Sequence, residues 1–540
     1  MSGGRTSTEG VYLLDLEVGG HVFRFATETV EVTDADGLTY RYAEGLSDPG
    51  ASYGSVVGVG DASVSVSVLA EIDWALLVAR GHALDRCPAV LRLWYAGREL
   101  ERARVVLRGL TAAPTYGALG EPLQVSIARS MRDQTRLIPP VQAVVDPSTW
   151  PVTGTVAGGI RIPDAAIGAS YPLVVGAPGH TEDATPVPCV PVPQAEFEAG
   201  VAYPKVIWLG GHATQVRLRW AYPDPPQEFD LSPSSMQDAL GRVVQFVLSG
   251  ESRESGRYLI GFRDDDAYGG GIRWRGKLLR GAGDVLDWVL STFYDGPIDH
   301  GRLSAVRAAL NRYQVDTYIN SPVSAWEWLS RAVLPMLPVE LRDGPRGIFP
   351  ALIRYDLTRR DAVAHLDATP GSGRVTRSSP VTLVSSVANE VSVDFRPVSE
   401  SGSRWLGRVV VTGAAGFPSV DRATVSDTRV VRDPLCTASQ ARYGVRPLHV
   451  QAGATWDAAT AALFARQLVA RRAWPRRAVQ YVGGPWLDDL ELGQGVLLTD
   501  PDLYVTSAVA LVADVIPGPG ETAVDLLLLD SPLSGTRATT

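Results

Sequence analysis

Hydrophobic and polar positions alternate with period two over most of the first 130 residues. In VYLLDLEV (11–18), Tyr12, Leu14, Leu16 and Val18 share one face of a strand, with Leu13, Asp15 and Glu17 on the other. Gly19-Gly20 supplies the positive φ of a two-residue hairpin, the return strand carries Phe23 and Phe25, and Asp36-Gly37 marks a second turn. SVSVSVL (63–69), AVLRLWYAG (89–97), RARVVLRGL (102–110) and PLQVSIA (122–128) extend the pattern. EIDWALLVARG (71–81) interrupts it as a single amphipathic helix candidate. Turn signals at intervals of about ten residues predict a small closed β-barrel over 1–135.

Residues 136–228 change character. Proline and glycine cluster in IPPVQAVVDPSTWPVTG, YPLVVGAPGH, TPVPCVPVPQ and AYPDPPQEFD around short strands such as KVIWLGG, which predicts an inserted β-rich domain. From Ser232 the period becomes helical, giving a mixed α/β domain over 229–350. Leu240, Val243, Val244 and Val247 form one stripe stopped by Gly250, and Leu303, Val306, Leu310 and Tyr313 form another. Asp284 is placed to cap DVLDWVLSTFY, and Ser324 with Glu327 forms a capping box ahead of WEWLSRAVLPML. Strand character returns over 351–450, where VSVDF and RVVVT read as neighbours in a second barrel. Over 451–540 a helix capped by Thr455 and ended at Pro475 precedes four strands, its C-terminal arginines (Arg466 to Arg477) favoured by the helix dipole. The fold class is therefore α+β, β-dominated, with two β-barrel domains and inserted β-rich and mixed α/β domains.

Composition narrows the function classes. The chain has 540 residues, 45% hydrophobic and 20% charged, with 54 Gly and 38 Pro, which suits several β-rich cores. A net charge of −9 argues against a general nucleic-acid binder, although a mildly acidic wall lets DNA pass without trapping it. Lysine occurs only at Lys205 and Lys277, which reads as coding bias. Cys87, Cys189 and Cys436 are far apart with no CxxC spacing, as expected of a protein folded in a reducing compartment. MSGGRTSTEG lacks an apolar stretch and no aliphatic run reaches membrane length, so neither a secretory signal nor membrane insertion is expected.

The catalytic lookalikes are weak. GASYG (50–54) satisfies G-x-S-x-G around Ser52, but the motif works at a strand-to-helix elbow, and the following SVVGVGDASVSVSV alternates like a strand. Asp264, Asp265 and Asp266 lie beside three glycines, but consecutive aspartates project apart, and a hairpin tip is the simpler reading. His21, His82, His180, His212, His300, His365 and His449 show no metal-ligand spacing. Trp326 and Trp328 could form a sugar platform, but on a capped helix Trp326 reads as core and Trp328 as half exposed. No catalytic, cofactor-binding or metal residue is assigned, and no cofactor is expected.

Several segments resemble the tail hub, or baseplate hub, proteins of long-tailed bacteriophages. SSVANEVSVDF, SQARYGVRP, WDAATAALFARQLVARR and LELGQGVLLTD occur in that family's order, with Asn389, Tyr443, Gly444, Arg446, Leu490, Leu492 and Gly493 at its characteristic places. ERARVVLRGLTAAPTYGALGEPLQVSIA and YPLVVGAPG are similar to other tail-protein segments. Gln494 departs from the family, where an acidic residue is commoner, as does the long middle region. The resemblance implies a non-enzymatic virion protein with two tube-type barrels per chain. Three chains then mimic a sixfold ring under the hexameric tail tube and accept a spike or fibre on the threefold side. Implied partners are further copies of the chain, a tail tube or distal tail protein, other tail-tip or baseplate proteins and the tape-measure protein, with DNA in transit. Such a protein is assembled in the host cytoplasm and resides in the virion. Two alternatives stand beside it: a tail-tip cell-wall hydrolase with a site in 136–350, and a receptor- or glycan-binding module using Trp208, Trp220 and Trp328.

Overall fold

A computed structural model describes residues 10–47, 62–69, 72–116, 121–129, 135–138, 173–178, 187–188, 190–192, 205–209, 216–220, 227–231, 234–237, 243–249, 258–261, 272–319, 321–344, 346–368, 373–380, 384–397, 405–416, 425, 427–516, 518 and 520–529. The described chain is β-dominated with few helices. Strand β1 (Val11–Val18) turns into β2 (His21–Ala26) through Gly19 and Gly20, at φ 59° and 81°, with Val18 facing His21. Only glycine adopts two successive left-handed conformations cheaply, so this pair sets the register. The turn between β3 (Val30–Thr33) and β4 (Thr39–Glu44) is held by the Asp34 carboxylate, which accepts from Asp36 N at 3.0 Å and Leu38 N at 2.8 Å. Then follow β5 (Ala62–Val68), α1 (Trp74–Ala79), β6 (Pro88–Trp94), β7 (Arg104–Thr115) and β8 (Leu123–Arg129).

These strands form one sheet in the order β3-β4-β2-β1-β6-β7-β8-β5. The far edge, β5, returns against the segment just after β4. Leu46 bridges Val68, Ser47 N donates to Ser67 O at 2.8 Å and Leu69 N to Gly45 O at 2.6 Å. The sheet therefore curls around Tyr12, Leu14, Leu16, Leu91, Leu107 and Ile127. Helix α1, capped by Asp73, inserts Trp74 into this core beside Phe23 and Phe25. Leu13, expected on the polar face, is fully buried in a second small core with Val32, Tyr42 and Trp94. The β3–β4 hairpin covers that face. Asp15 on the same face is not left alone: Arg92 forms an ion pair with it and Tyr42 Oη donates to it at 2.9 Å.

Further along, two four-stranded sheets occupy the stretch from 187 to 261. Strand Gln227–Leu231 spans residue 228, and both sheets take strands from either side of it. Where a helix is expected, Val243, Val244 and Val247 lie on a strand, and Leu240 lies outside the described residues. Ser234–Gln237 and Val243–Ser249 are antiparallel strands, with Met236 facing Val244. The β-branched and aromatic run VVQFV favours extended backbone, and sheet pairing overrides the apparent helical stripe. Gly250 lies outside the described residues.

The next helices among the described residues are α2 (Ala282–Phe293) and α3 (His300–Leu310), followed by α4 (Ala325–Trp328), which runs on into turns through Met336. Two caps differ from expectation. The N-cap of α2 is Gly281, and Asn311 at the end of α3 reaches across to accept from Asp284 N at 3.0 Å. Ser324 starts α4, but its hydroxyl is engaged with Thr135 at 2.9 Å rather than with the helix. The two tryptophans are also reversed: Trp328 is buried and Trp326 only partly so. The helix is short and bends into a π turn, so spacing counted on a regular helix misplaces its buried face.

Two more sheets build the C-terminal part. VSVDF and RVVVT do pair, as strands Glu390–Pro397 and Trp405–Thr412 with Val391 facing Val411. They belong, however, to a four-stranded mixed sheet, flanked by parallel strands Asp427–Arg432 and Pro447–Gln451. Helices α5 (Pro434–Tyr443) and α6 (Ala458–Arg472) accompany it. The cap of α6 is Asp457, not Thr455: its carboxylate accepts from Thr460 N at 2.7 Å, and Thr455 Oγ1 accepts from Asp457 N. A carboxylate suits a helix N-terminus better than a hydroxyl because it also meets the dipole. The second sheet has six strands, ordered Ala362–Asp367, Gly495–Asp500, Val505–Ile516, Thr522–Leu528, Arg477–Gly483 and Arg374–Pro380. One large core joins α2, α3 and the 325–341 segment to α6 and the mixed sheet, through residues such as Leu286, Val289, Val393, Phe395 and Phe464.

Leu14 is fully buried in the N-terminal core. Leu14→Ala is expected to lower unfolding stability by roughly 2–5 kcal/mol. Denaturant unfolding followed by far-UV circular dichroism checks this; a loss below about 0.5 kcal/mol contradicts the described packing.

Candidate functional site

The N-terminal sheet meets the C-terminal sheet at Arg104, the first residue of β7. Arg104 Nη2 donates to Val515 O at 2.9 Å, and Nη1 lies 3.5 Å from Asp488 O. Around it stand the carboxylates of Asp488 and Asp514 and the guanidinium of Arg342, from the strand Val339–Gly344. Thr522 Oγ1 donates to Asp488 at 2.7 Å, Val515 N donates to Asp514 at 3.0 Å, and Arg342 sits 3.7 Å from Asp514 and 3.1 Å from Glu340. Tyr95, just beyond β6, donates its hydroxyl to Gly518 O at 3.1 Å. Three parts of the chain separated by hundreds of positions thus share one polar junction.

Its electrostatics follow from burial. Desolvation is the main cause that lowers the Arg104 pKa, with the two aspartates opposing it. Desolvation likewise raises Asp488 and Asp514, while Thr522 and the arginines pull them back. Burial and then the Asp488 charge push the Tyr95 phenol well above its ordinary value. Removing one partner of such a group leaves an uncompensated buried charge, which costs far more than an exposed pair contributes. The peripheral Arg98–Asp489 pair at 3.5 Å, with Asp489 largely exposed, adds little.

A second polar network brings together four of the residues that carry the family resemblance. Asn389 is fully buried. Its Nδ2 donates to Ser439 Oγ and Gly444 O, both at 2.9 Å, and its Oδ1 accepts from Arg446 N at 2.8 Å. Gly444 at φ 72° ends α5, so the chain can fold back onto Asn389. Gln440 Nε2 donates to Asn389 O and Thr412 Oγ1, which in turn donates to Glu390. Tyr443 meets Trp474 edge-to-face at 5.3 Å. The motif thus welds α5 to the mixed sheet beside the end of α6.

Leu490, Leu492 and Gly493 lie elsewhere, where the six-stranded sheet begins its second strand. Leu490 is buried, and Gly493 at φ 86° presses on Leu352 O where a Cβ has no room. Gln494 accepts from Glu491 N at 3.0 Å, the bond an acidic side chain at this place can also make.

The catalytic lookalikes fare variously. Ser52, Asp264, Asp265, Asp266, His180, His212 and Cys189 lie outside the described residues, as do the side chains of Trp208 and Trp220. His365 pairs with Thr499 at 2.9 Å, while His449 reaches Asp394 at 2.7 Å, a carboxylate already gripped by both arms of Arg408. Among the described residues no hydroxyl or thiol bonds to the His449 ring. Neither does any set of three His, Cys, Asp or Glu there suit a metal ion. Cys87 and Cys436 are buried free thiols, and burial pushes Cys436 up to about 12, which keeps it protonated. Trp328, being buried, offers no sugar platform. No helix among the described residues is long and apolar enough to cross a membrane.

Sequence reading pointed to Asn389, Tyr443, Gly444 and Arg446 but missed Arg104, Asp488 and Asp514. Two expected outcomes follow from these geometries. Asn389→Ala strands Arg446 N and Gly444 O without partners and is expected to cost about 3 kcal/mol of stability, read by chemical denaturation; a near-neutral result refutes the network's role. For Asp488, a folded pKa above the unfolded value means its stabilising share is present below the ordinary Asp value near 4 and lost as pH rises through the folded pKa. Asn mimics the protonated form, so the melting temperature of Asp488→Asn relative to wild type should climb as pH rises above about 4. A pH-independent difference contradicts the burial argument.

No family model and no curated protein matches the chain. Among solved structures, the chain is similar to the tail protein from Neisseria meningitidis MC58, with 11% identity, a TM-score of 0.35 and 96% of each chain covered. It is similar to the 43 kDa tail protein of prophage MuSo2 from Shewanella oneidensis, with 9% identity, a TM-score of 0.34 and 97% of each chain covered. A chain of the virion of a native gene transfer agent particle aligns over 72% of this chain and 90% of its own, at 13% identity and a TM-score of 0.38.

Proposed function

We propose that the chain is a structural virion protein: a homotrimeric hub at the distal end of a bacteriophage tail, joining tail tube to tail tip and surrounding the genome-ejection channel. The observation that carries this reading is the Arg104 junction. It fixes a curled N-terminal sheet and a six-stranded C-terminal sheet at one mutual setting. A chain that supplies two β units to a ring must hold them at a constant spacing, since an error in each copy accumulates around the circle. A directional hydrogen-bonded contact meets that demand better than an apolar one that can slide.

In this reading both sheets act as tube-type barrels, and three copies present six β units to the hexameric tail tube or a distal tail protein. The opposite side takes the spike or fibre and other baseplate proteins, while the tape-measure protein and DNA pass through the centre. A net charge of −9 suits a wall past which phosphates slide. The interfaces between copies should each bury upwards of ~1,000 Å². No residue is assigned a catalytic role, and no cofactor is assigned.

Native mass spectrometry of the purified protein tests the reading together with electron microscopy of tails assembled with it. The expected result is a mass in multiples of three and a ring coaxial with a tube. A monomer at every concentration, or a clearing zone on peptidoglycan lost with a single carboxylate, overturns it.

A further inference from the structure

The chain holds 59 acidic residues against 50 basic ones. Nevertheless, one corner of the fold gathers arginines, while its neighbouring carboxylate, Glu390, is buried and accepts from Thr412 Oγ1. This corner lies where the end of α5, the Gly444 turn and the end of α6 come together around Asn389. The exposed Arg442 guanidinium stands 5.6 Å from the Trp474 ring centroid and 5.7 Å from that of Tyr443. Half-buried Arg446 spends only its Nε on Tyr443 O, at 3.2 Å. Arg472 is exposed on the last turn of α6, and its carbonyl accepts from Ala388 N at 3.0 Å, which ties this helix end to the Asn389 segment. Val445, 43% exposed, adds an apolar contact beside them. Among the described residues none of these three arginines has an ion-pair partner, whereas Arg280, Arg302, Arg307, Arg354 and Arg408 all do.

We propose that Arg442, Arg446 and Arg472 form a docking patch for a carboxylate-rich protein surface. Stacking on two rings holds the Arg442 guanidinium in place, so less rotamer entropy is lost when its outward N–H groups grip a carboxylate. The turn that presents Arg446 is fixed by Asn389, which donates to Gly444 O and accepts from Arg446 N, so the patch is organised before a partner arrives. Arginine, tryptophan and tyrosine are the residues enriched in protein-contact hot spots.

A nucleic acid fits less well. Base stacking needs free ring faces, but half-buried Trp474 is already engaged by Arg442 and Tyr443. The patch stands on its own geometry, independent of any place in a tail.

Fluorescently labelled poly-L-glutamate titrated into the full-length protein at low salt tests the proposal, with anisotropy as the readout. Saturable binding is expected, weakened by about tenfold or more in Arg442→Ala/Arg472→Ala, a change of about 1.4 kcal/mol. Arg442→Lys, which keeps the charge but loses the planar stack, is expected to fall between wild type and the double variant. Unchanged melting curves show that both variants remain folded. Equal binding by wild type and the double variant overturns the proposal. So does oligo-dT binding more tightly than poly-L-glutamate with the same sensitivity to these substitutions, since the patch is then a nucleic-acid site.

Discussion

A guanidinium removed from water must find its hydrogen bonds where the protein has already placed acceptors, and Arg104, on the N-terminal sheet, finds them in the C-terminal part of the chain. Its carbonyl partner, Val515 O, comes from the long strand Val505–Ile516, and the flanking charges come from Asp488, Asp514 and Arg342. No one of these segments can move without stranding a charge in a low-dielectric gap. The contact is thus specific as well as adhesive. The same logic, with neutral groups, operates at Asn389, where one amide satisfies two helical and turn groups at once and ties α5 to the mixed sheet.

Between these two polar anchors the chain relies on ordinary apolar burial. The large core that joins α2, α3 and α6 to the mixed sheet makes the helical part of the middle region and the 390–473 unit one body. Gln314 N bonded to Thr460 Oγ1, and Gln467 Nε2 to Leu337 O, stitch its margins. Helices serve here as packing and spacing elements, while the sheets carry the long-range connections.

Much of the N-terminal sheet was legible because its signals are local. Gly19-Gly20, Asp36-Gly37 and the Tyr12–Val18 alternation each act within a few residues. Where the competing forces are non-local, sequence reading failed. The 243–249 run became a strand because neighbouring strands pair with it, and Leu13 was buried because a hairpin folds over it. The α2 cap comes from Asn311, a residue on another helix. Arg104 lies on the half-exposed face of an alternating strand, where its pattern is that of any surface arginine. Its partners lie hundreds of positions away, so no spacing rule reveals them. Asn389 and the Tyr443–Arg446 turn were visible through family resemblance, but Ser439, Gln440 and Thr412, which complete their bonds, were not.

The order of strands in the six-stranded sheet has a consequence for synthesis. Arg374–Pro380 pairs with Arg477–Gly483, and Ala362–Asp367 with Gly495–Asp500, each about a hundred residues or more downstream. As the polypeptide leaves the ribosome, the two early strands wait on the order of ten seconds for these companions. The intervening mixed-sheet unit is the piece that can condense meanwhile, so maturation proceeds from the inside outwards. A chain that stops before residue 477 lacks the partners of both early strands. Late closure of this sheet therefore makes the burial of its early strands depend on segments made about a hundred residues later.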